Sequence, residues 1–343
     1  MLNTGRGLRV FKYEALGNSY LVLDPRFAGA ALERFKIIIR GVGWPVSSLV
    51  RNLCDVSVGV GSNGLLFGPL ASSCDDRFGL LIINSDGTSA GFSGNGTRIF
   101  AQYLIDSGDA QLGQTVQLEI TEVSKDTSGA LNIAIAHLPT HPDQPIRITA
   151  PHTPQFGAKA VAASPELIRL PDENSGKPPR YSLPALAKVG HEITGSPSAW
   201  ATSVLVEIGN PHCVTFVSKI EQLPDHSTLQ VHSPTLKTIA FRGCSPEPIF
   251  ANGINLQWAW AESRRVLRLA IYERSEGPTL ASGSSACAAA CAAYALKLID
   301  RDVEVIMPGG KLAISLDGSP RDITTVTLSG FARRIFEGMV YAT

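Results

Sequence analysis

Two tetrapeptides in this chain carry groups that could grip an anion: Ser93-Gly94-Asn95-Gly96 and Ser282-Gly283-Ser284-Ser285. Each sits at the start of a helix-compatible run. Small residues at a helix start let backbone N–H groups approach an anion closely, and the aligned peptide dipoles add to the attraction. Two such starts directed at one ligand would hold a single carboxylate from both sides. Taken singly, each tetrapeptide reads first as an ordinary Ser or Asn N-cap; it is the duplication that favours a shared ligand. Other chemistries find less support. HExxH, CxxC, a P-loop and a strand-linked GxGxxG are all missing from the sequence, which argues against metal catalysis and nicotinamide chemistry. The flanks GFSGN and LASGS are not the GxSxG elbow of a serine hydrolase.

The elements that must position these serines recur with them. Residues 16–23 read LGNSYLVL and residues 208–216 read IGNPHCVTF. Residues 80–104 and 269–294 each run through an apolar strand, a polar Gly-containing turn, a Ser-Gly step and a helix. Asn84 precedes Ser93 by nine residues, as Glu273 precedes Ser282, and Asn18 and Asn210 lie 75 and 72 residues ahead of the same serines. Four landmarks in one order at nearly equal spacing predict two pseudo-equivalent lobes. Short β-rich runs are expected at 8–12, 20–24, 79–84, 116–121, 131–138, 203–208, 213–217, 254–259, 266–272, 302–307 and 323–329, punctuated by turn signals such as SDG, DTSG and PGG. Helices are expected over 95–106 and 284–299. The second is small and apolar on nearly all sides, the pattern of a buried helix, so each lobe should wrap its strands around one central helix. The Pro-rich stretch from Pro139 to Pro184 reads as irregular excursions within the second lobe.

Composition sets the frame. The 343 residues, 44% apolar and 17% charged, give ample material for a large core across two domains. Thirty basic residues balance thirty acidic ones, which argues against nucleic-acid and membrane-surface partners, since both need a basic excess. No apolar stretch is long enough to span a bilayer, and the first residues lack the apolar core of a signal peptide. Six Cys without a CxxC pair make neither a disulfide framework nor a zinc ribbon. A cytoplasmic protein with reduced thiols is the expectation.

The segments FKYEALGNSYLVLD (11–24), LCDVSVGVGSNGLLFG (53–68), IINSDGTSAGFSGNGTR (82–98), VEIGNPHCVTF (206–216), GINLQW (253–258), YERSEGPTLASGSSACA (272–288) and MPGGKL (307–312) together resemble diaminopimelate epimerase. The wider group of pyridoxal-phosphate-independent racemases and epimerases shares that pattern. The resemblance implies an α+β fold of two pseudo-symmetric lobes, each a mostly antiparallel sheet or barrel around a central helix. It divides the chain into residues 1–128 plus 331–343 and residues 129–330. It implies an isomerase in which one thiolate removes an amino acid's α-proton while a thiol on the opposite face returns one, with no cofactor and no metal. A small amino-acid substrate is the partner implied, and a homodimer the assembly.

Residue by residue, the family's two catalytic cysteines fall on Ser93 and Ser282. Gly94, Asn95, Gly283 and Ser284 match the α-carboxylate clamp, and Asn18 a residue near the α-centre. Asn84, Asn210, Asn255, Glu273 and Arg274 match the groups that hold the distal amino and carboxylate ends of diaminopimelate, for which an Arg fork and a carboxylate acceptor are suited. His212 matches the His after Asn-Pro. Further departures are Pro278, where the family has Glu, and Ser285, where it has Gly. A Ser hydroxyl is a far weaker acid than a thiol and needs an adjacent base. Asp86, His212 and Glu273 are the candidates. Cys287 and Cys291 read as small core filler; Cys213 and His212, adjacent on a strand, face opposite ways. Two alternatives stay open: a paralogous isomerase or lyase acting on another amino acid, and a non-catalytic amino-acid binder.

Overall fold

The computed structural model describes residues 7–27, 36–39, 42–45, 47–72, 77–122, 131–164, 167–171, 176–241, 248–274 and 276–341. Two compact units divide the chain: residues 1–151 with 329–343, and residues 152–328.

In the first unit, Gly7–Ala15 and Asn18–Leu23 form an antiparallel hairpin in which Ala15 pairs with Asn18. Its two turn residues, Leu16 and Gly17, have φ of 57° and 78°. Left-handed geometry at both central positions gives a turn whose twist suits the flanking strands. Asn18–Leu23 runs parallel to Gly64–Leu70, which pairs antiparallel with Arg77–Asn84. After the short strand Ser89–Ala90 comes the helix Gly94–Asp106. The chain then adds Thr115–Thr121 parallel to Arg77–Asn84, Leu131–His137 antiparallel to Thr115–Thr121, and Ile146–Thr149 beyond that. Arg333–Tyr341 closes the other edge against Gly7–Ala15. The helix touches strands at both ends of this order, so the sheet curls around it.

The second unit repeats the scheme. Ser203–Glu207 and Pro211–Phe216 form the hairpin. Asn255–Ser263 joins in parallel and Val266–Glu273 antiparallel. The short strand Gly277–Thr279 leads to the helix Gly283–Ala295, after which Asp302–Met307 runs parallel to Val266–Glu273 and Gly310–Ser319 antiparallel to Asp302–Met307. Both central helices have 13 residues, and their N-cap serines share almost the same backbone geometry, φ/ψ of −142°/116° and −143°/123°.

The helices reach their central position differently. Gly283–Ala295 is nearly all Ala, Cys and Ser; Ala has the best helix propensity, and small side chains let strands approach on every side. Gly94–Asp106 buries Ile99, Phe100, Tyr103 and Leu104 and is tied down at its far end. There the Tyr103 hydroxyl donates to the fully buried Asp24 at 2.6 Å, and Arg26 forks between Asp24 and Asp109. The second unit has a separate core centred on Trp200 and Trp258, with ring centroids 4.7 Å apart.

Several expectations need correction. The boundary expected at 128/129 lies near residue 151, because Leu131–His137 and Ile146–Thr149 hydrogen-bond into the first unit's sheet. The Pro139–Pro184 stretch is accordingly shared between units, and past it Pro184 starts a helix, Pro184–Thr194, stopped by Gly195 at φ 69°. The second central helix ends at Ala295, with Lys297 at φ 62°, rather than running to 299. Strands at Gly64–Leu70, Gly310–Ser319 and Arg333–Tyr341 lie outside the runs expected from the sequence. Among the described residues, no helix is long and apolar enough to cross a membrane.

Candidate active site

Both Ser-Gly steps form helix N-caps. Ser93 Oγ accepts from the Gly96 N–H at 3.1 Å, and Ser282 Oγ from the Ser285 N–H at 3.4 Å. The intrahelical ladder begins only with Thr97 N–H to Ser93 O and Ala286 N–H to Ser282 O. The N–H groups of Gly94 and Asn95, and of Gly283 and Ser284, therefore lie ahead of both cap and ladder. These are the four residues whose N–H groups the sequence singles out for a carboxylate, and the geometry of a helix start aims such donors outward along the axis.

In the first unit, the Ser93 hydroxyl also meets the Tyr20 hydroxyl at 3.2 Å. Asn95 Oδ1 accepts from the buried Arg98 guanidinium, which also donates to Gly94 O and to Phe331 O. A positive charge is thus buried in the first turn of an already electropositive helix end, which favours an anion there. Asn84 engages its side-chain amide with Thr88 Oγ1 at 3.0 Å, and Asn18 Oδ1 is buried without a partner. Asp86 caps its own turn, accepting from the Thr88 N–H and hydroxyl.

The second unit gathers more of the singled-out groups. Arg274 donates to Asn210 Oδ1 at 3.1 Å and to Asn252 O at 2.8 Å, while its backbone N–H goes to Asn255 Oδ1 at 3.0 Å. The Asn210 side chain and the Asn252 carbonyl therefore set the direction of the guanidinium, while Asn255 fixes the backbone beneath it. Next in sequence, the Glu273 carboxyl is raised above the ordinary carboxylate range by desolvation; the Ser282 and Thr279 hydroxyls and the Arg274 charge oppose this. Thr279 Oγ1 has no hydrogen-bond partner, and Ser282 Oγ is engaged by the Ser285 N–H and by Ser284 Oγ. Ser284 Oγ lies 3.4 Å from Ser282 Oγ. Pro278 pairs with Tyr272 on the short strand leading into this helix.

His212 is fully buried, and its pKa is pushed down to about 3, by burial first and by the Arg274 charge second. Its Nδ1 accepts from Gln257 Nε2 at 3.1 Å, and the same amide donates to Ser285 Oγ at 3.0 Å. Cys213 points the other way, into the core around Trp258, where burial raises its thiol to about 11. Cys287 and Cys291 are buried in the helix, and burial raises Cys291 well above the ordinary range. These three thiols are packing, not chemistry.

Tyr20, Arg98 and Gln257 are contributors that sequence reasoning missed. The signal was periodicity: Tyr20 and Gln257 each lie two residues after a singled-out Asn on a strand and so share its face.

A model of the diaminopimelate epimerase family matches residues 204–329. Diaminopimelate epimerase 2 of Nostoc sp. is 30% identical over 90% of this chain and 88% of its own length. The chain belongs to the diaminopimelate epimerase family. Diaminopimelate epimerase of Cupriavidus taiwanensis is 27% identical over 97% of both chains. Among solved structures, a probable proline racemase from Agrobacterium radiobacter K84 matches with a TM-score of 0.60 at 14% identity, covering 97% of this chain and 92% of its own. A Bacillus anthracis phenazine biosynthesis protein of the PhzF family matches at 0.59 and 14%, covering 98% and 99%. Those two share the fold. Membership in the family makes this protein an isomerase of the epimerase and racemase kind.

Proposed function

We propose that the protein inverts the α-centre of an amino acid of the diaminopimelate type, without a cofactor, using Ser93 and Ser282 where the family pattern has thiols. The observation that carries this reading is the run Glu273–Arg274–Ser282 in the second unit. It puts a carboxyl of raised pKa beside one hydroxyl and an oriented guanidinium beside that carboxyl. A Ser becomes a useful proton carrier only next to a base, and Glu273 supplies one. An Arg whose fork is fixed by neutral oxygens suits a second carboxylate, which diaminopimelate has and simple amino acids lack. The paired N–H groups at Gly94/Asn95 and Gly283/Ser284 suit the α-carboxylate and the charge that builds on it as the proton leaves. The five apolar side chains exposed along 331–341, among them Ile335, Met339 and Tyr341, support the expectation of a homodimer, checked by light scattering.

A second reading has its own observation. Both hydroxyl oxygens are engaged as cap acceptors, which suits a binder with no proton transfer. Proton NMR of meso- and LL-diaminopimelate with the protein in deuterated water separates the two. Loss of the α-proton signal, abolished by Glu273→Gln, supports the isomerase. Saturable ligand broadening with no exchange supports the binder and sinks the isomerase reading.

A further inference from the structure

Beneath the two N-caps, matching positions of the repeat hold different chemistry. In the first unit Gly64 pairs with Tyr20, and an added Cβ on Gly96 would lie 3.2 Å from Leu66 Cδ2. In the second unit Asn255 pairs with His212, Ser285 stands where Gly96 stands, and Gln257 stands where Leu66 stands. Tyr20, Leu66 and Gly96 thus correspond to His212, Gln257 and Ser285, and the last three are all fully buried. Gln257 joins strand, helix and imidazole in one chain of hydrogen bonds.

The assignment of its amide follows from counting donors. With Nε2 placed between Ser285 Oγ and His212 Nδ1, both amide protons are used; the groups left over are one carbonyl, Gln257 Oε1, and His212 Nε2. In this arrangement the one N–H left without a partner is His212 Nε2–H, whereas turning the amide over would strand both Gln257 N–H donors. Buried orphan N–H groups are rarer than under-used carbonyls, so the first arrangement holds. An acceptor Nδ1 on a neutral imidazole requires the proton on Nε2.

We propose that Gln257, braced by Ser285, fixes His212 as its neutral Nε2–H tautomer, so that this His acts as a hydrogen-bond donor and never as a proton acceptor. One ring nitrogen has its lone pair occupied by the amide and the other already carries its proton. Gln257 is a positioning residue, acting through His212. Within the proposed function, on which this consequence rests, proton acceptance in the second unit falls to Glu273 with Ser282.

The test is made on the ligand-free full chain, so it stands or falls apart from any substrate. Long-range 1H–15N correlation of histidine-labelled protein near neutral pH should show His212 with a protonated Nε2 and a pyridine-type Nδ1. A through-hydrogen-bond coupling should join that Nδ1 to the Gln257 side-chain nitrogen. A protonated Nδ1 with a pyridine-type Nε2 would overturn the proposal. Gln257→Leu, which copies Leu66 of the first unit, should abolish the coupling and shift the Nδ1 resonance toward that of an imidazole nitrogen without a donor; an unmoved resonance in a folded variant would also overturn it. Ser285→Gly, which restores the Gly96 pattern, should keep the coupling but weaken it, because the amide loses its second acceptor. Should the Leu variant fail to fold, the wild-type tautomer still decides.

Discussion

The first turns of the two central helices are the same backbone put to different use. Around Ser93 the neighbours are a phenol, an apolar Leu66–Gly96 contact and a buried guanidinium. Around Ser282 they are a carboxyl, a polar Ser285–Gln257–His212 chain and, at the position of Arg98, the thiol of Cys287. The Arg98 charge, held on Gly94 O and Asn95 Oδ1, makes the first helix start favour an anion, and the Glu273 carboxyl of raised pKa gives the second a group able to take a proton. Duplication thus fixed where the two hydroxyls stand, and divergence beneath the caps made one surrounding anion-favouring and the other basic.

The comparison breaks most visibly if the weak acids are replaced. Ser93→Cys together with Ser282→Cys should raise α-proton exchange from diaminopimelate by roughly 10²–10⁴-fold, the usual worth of a competent acid–base pair. A folded double variant that leaves exchange unchanged would mean the hydroxyls are not the proton carriers. Glu273→Gln should lower any wild-type exchange by a comparable factor, whereas Asn84→Asp at the matching position should change it little, since Asn84 is engaged with Thr88.

Arg98 sharpens the structural half of the comparison. Its guanidinium links Gly94 and Asn95 to Phe331 and is fully buried. Arg98→Met keeps the stem but strands these acceptors, and should cost about 2–4 kcal/mol in denaturant unfolding. Cys287→Ala at the matching place should cost about 1 kcal/mol, a small truncation in a close-packed site. Equal losses would mean that Arg98 acts as packing alone.

The pH dependence follows from Glu273. Its folded-state pKa is raised, so the folded chain holds that proton more tightly than the unfolded one. Its contribution is full below the ordinary Glu pKa and is lost as pH rises through the higher folded value. Glu273→Gln should therefore be less sensitive than wild type to rising pH across that window, measured by urea midpoints, with no such difference at lower pH.

The repeat was legible because two lobes must each supply a hairpin, a strand pair and a helix start, and Gly-Asn and Ser-Gly mark the turns and caps. Gly64–Leu70 escaped because Gly64, Gly68 and Pro69 look like a loop; the Gly68–Pro69 break is a register shift inside a continuing strand. The edge strand Arg333–Tyr341 escaped because its burial does not alternate cleanly. In the site, spacing marked Glu273, nine residues ahead of Ser282, and the family resemblance marked Arg274. Strand periodicity from Asn255 could have flagged Gln257, but its His212 partner lies 45 residues away, and Arg98 also reaches Phe331, 233 residues away.

The smallest effect tests the backbone equivalence itself. If the caps are duplicates, Ser93→Ala and Ser282→Ala should each cost about 1 kcal/mol, the ordinary worth of an N-cap. They are not quite alike: the Ser93 cap bond is 3.1 Å and the Ser282 bond 3.4 Å, at the long limit for such a contact. Ser282 divides its hydroxyl between cap and Ser284, and that hydroxyl also lowers the pKa of the Glu273 carboxyl, so removing it loses a weaker cap and also takes from a desolvated carboxyl a hydroxyl that favours its charge. Unfolding of the two variants at low pH, where Glu273 is protonated in both states, isolates the cap. There Ser93→Ala should be the more costly by a few tenths of a kcal/mol. Above the folded Glu273 pKa the order should narrow or reverse, because the carboxylate left behind has lost a hydroxyl that favours its charge. A gap independent of pH would show that Ser282 and Glu273 are uncoupled.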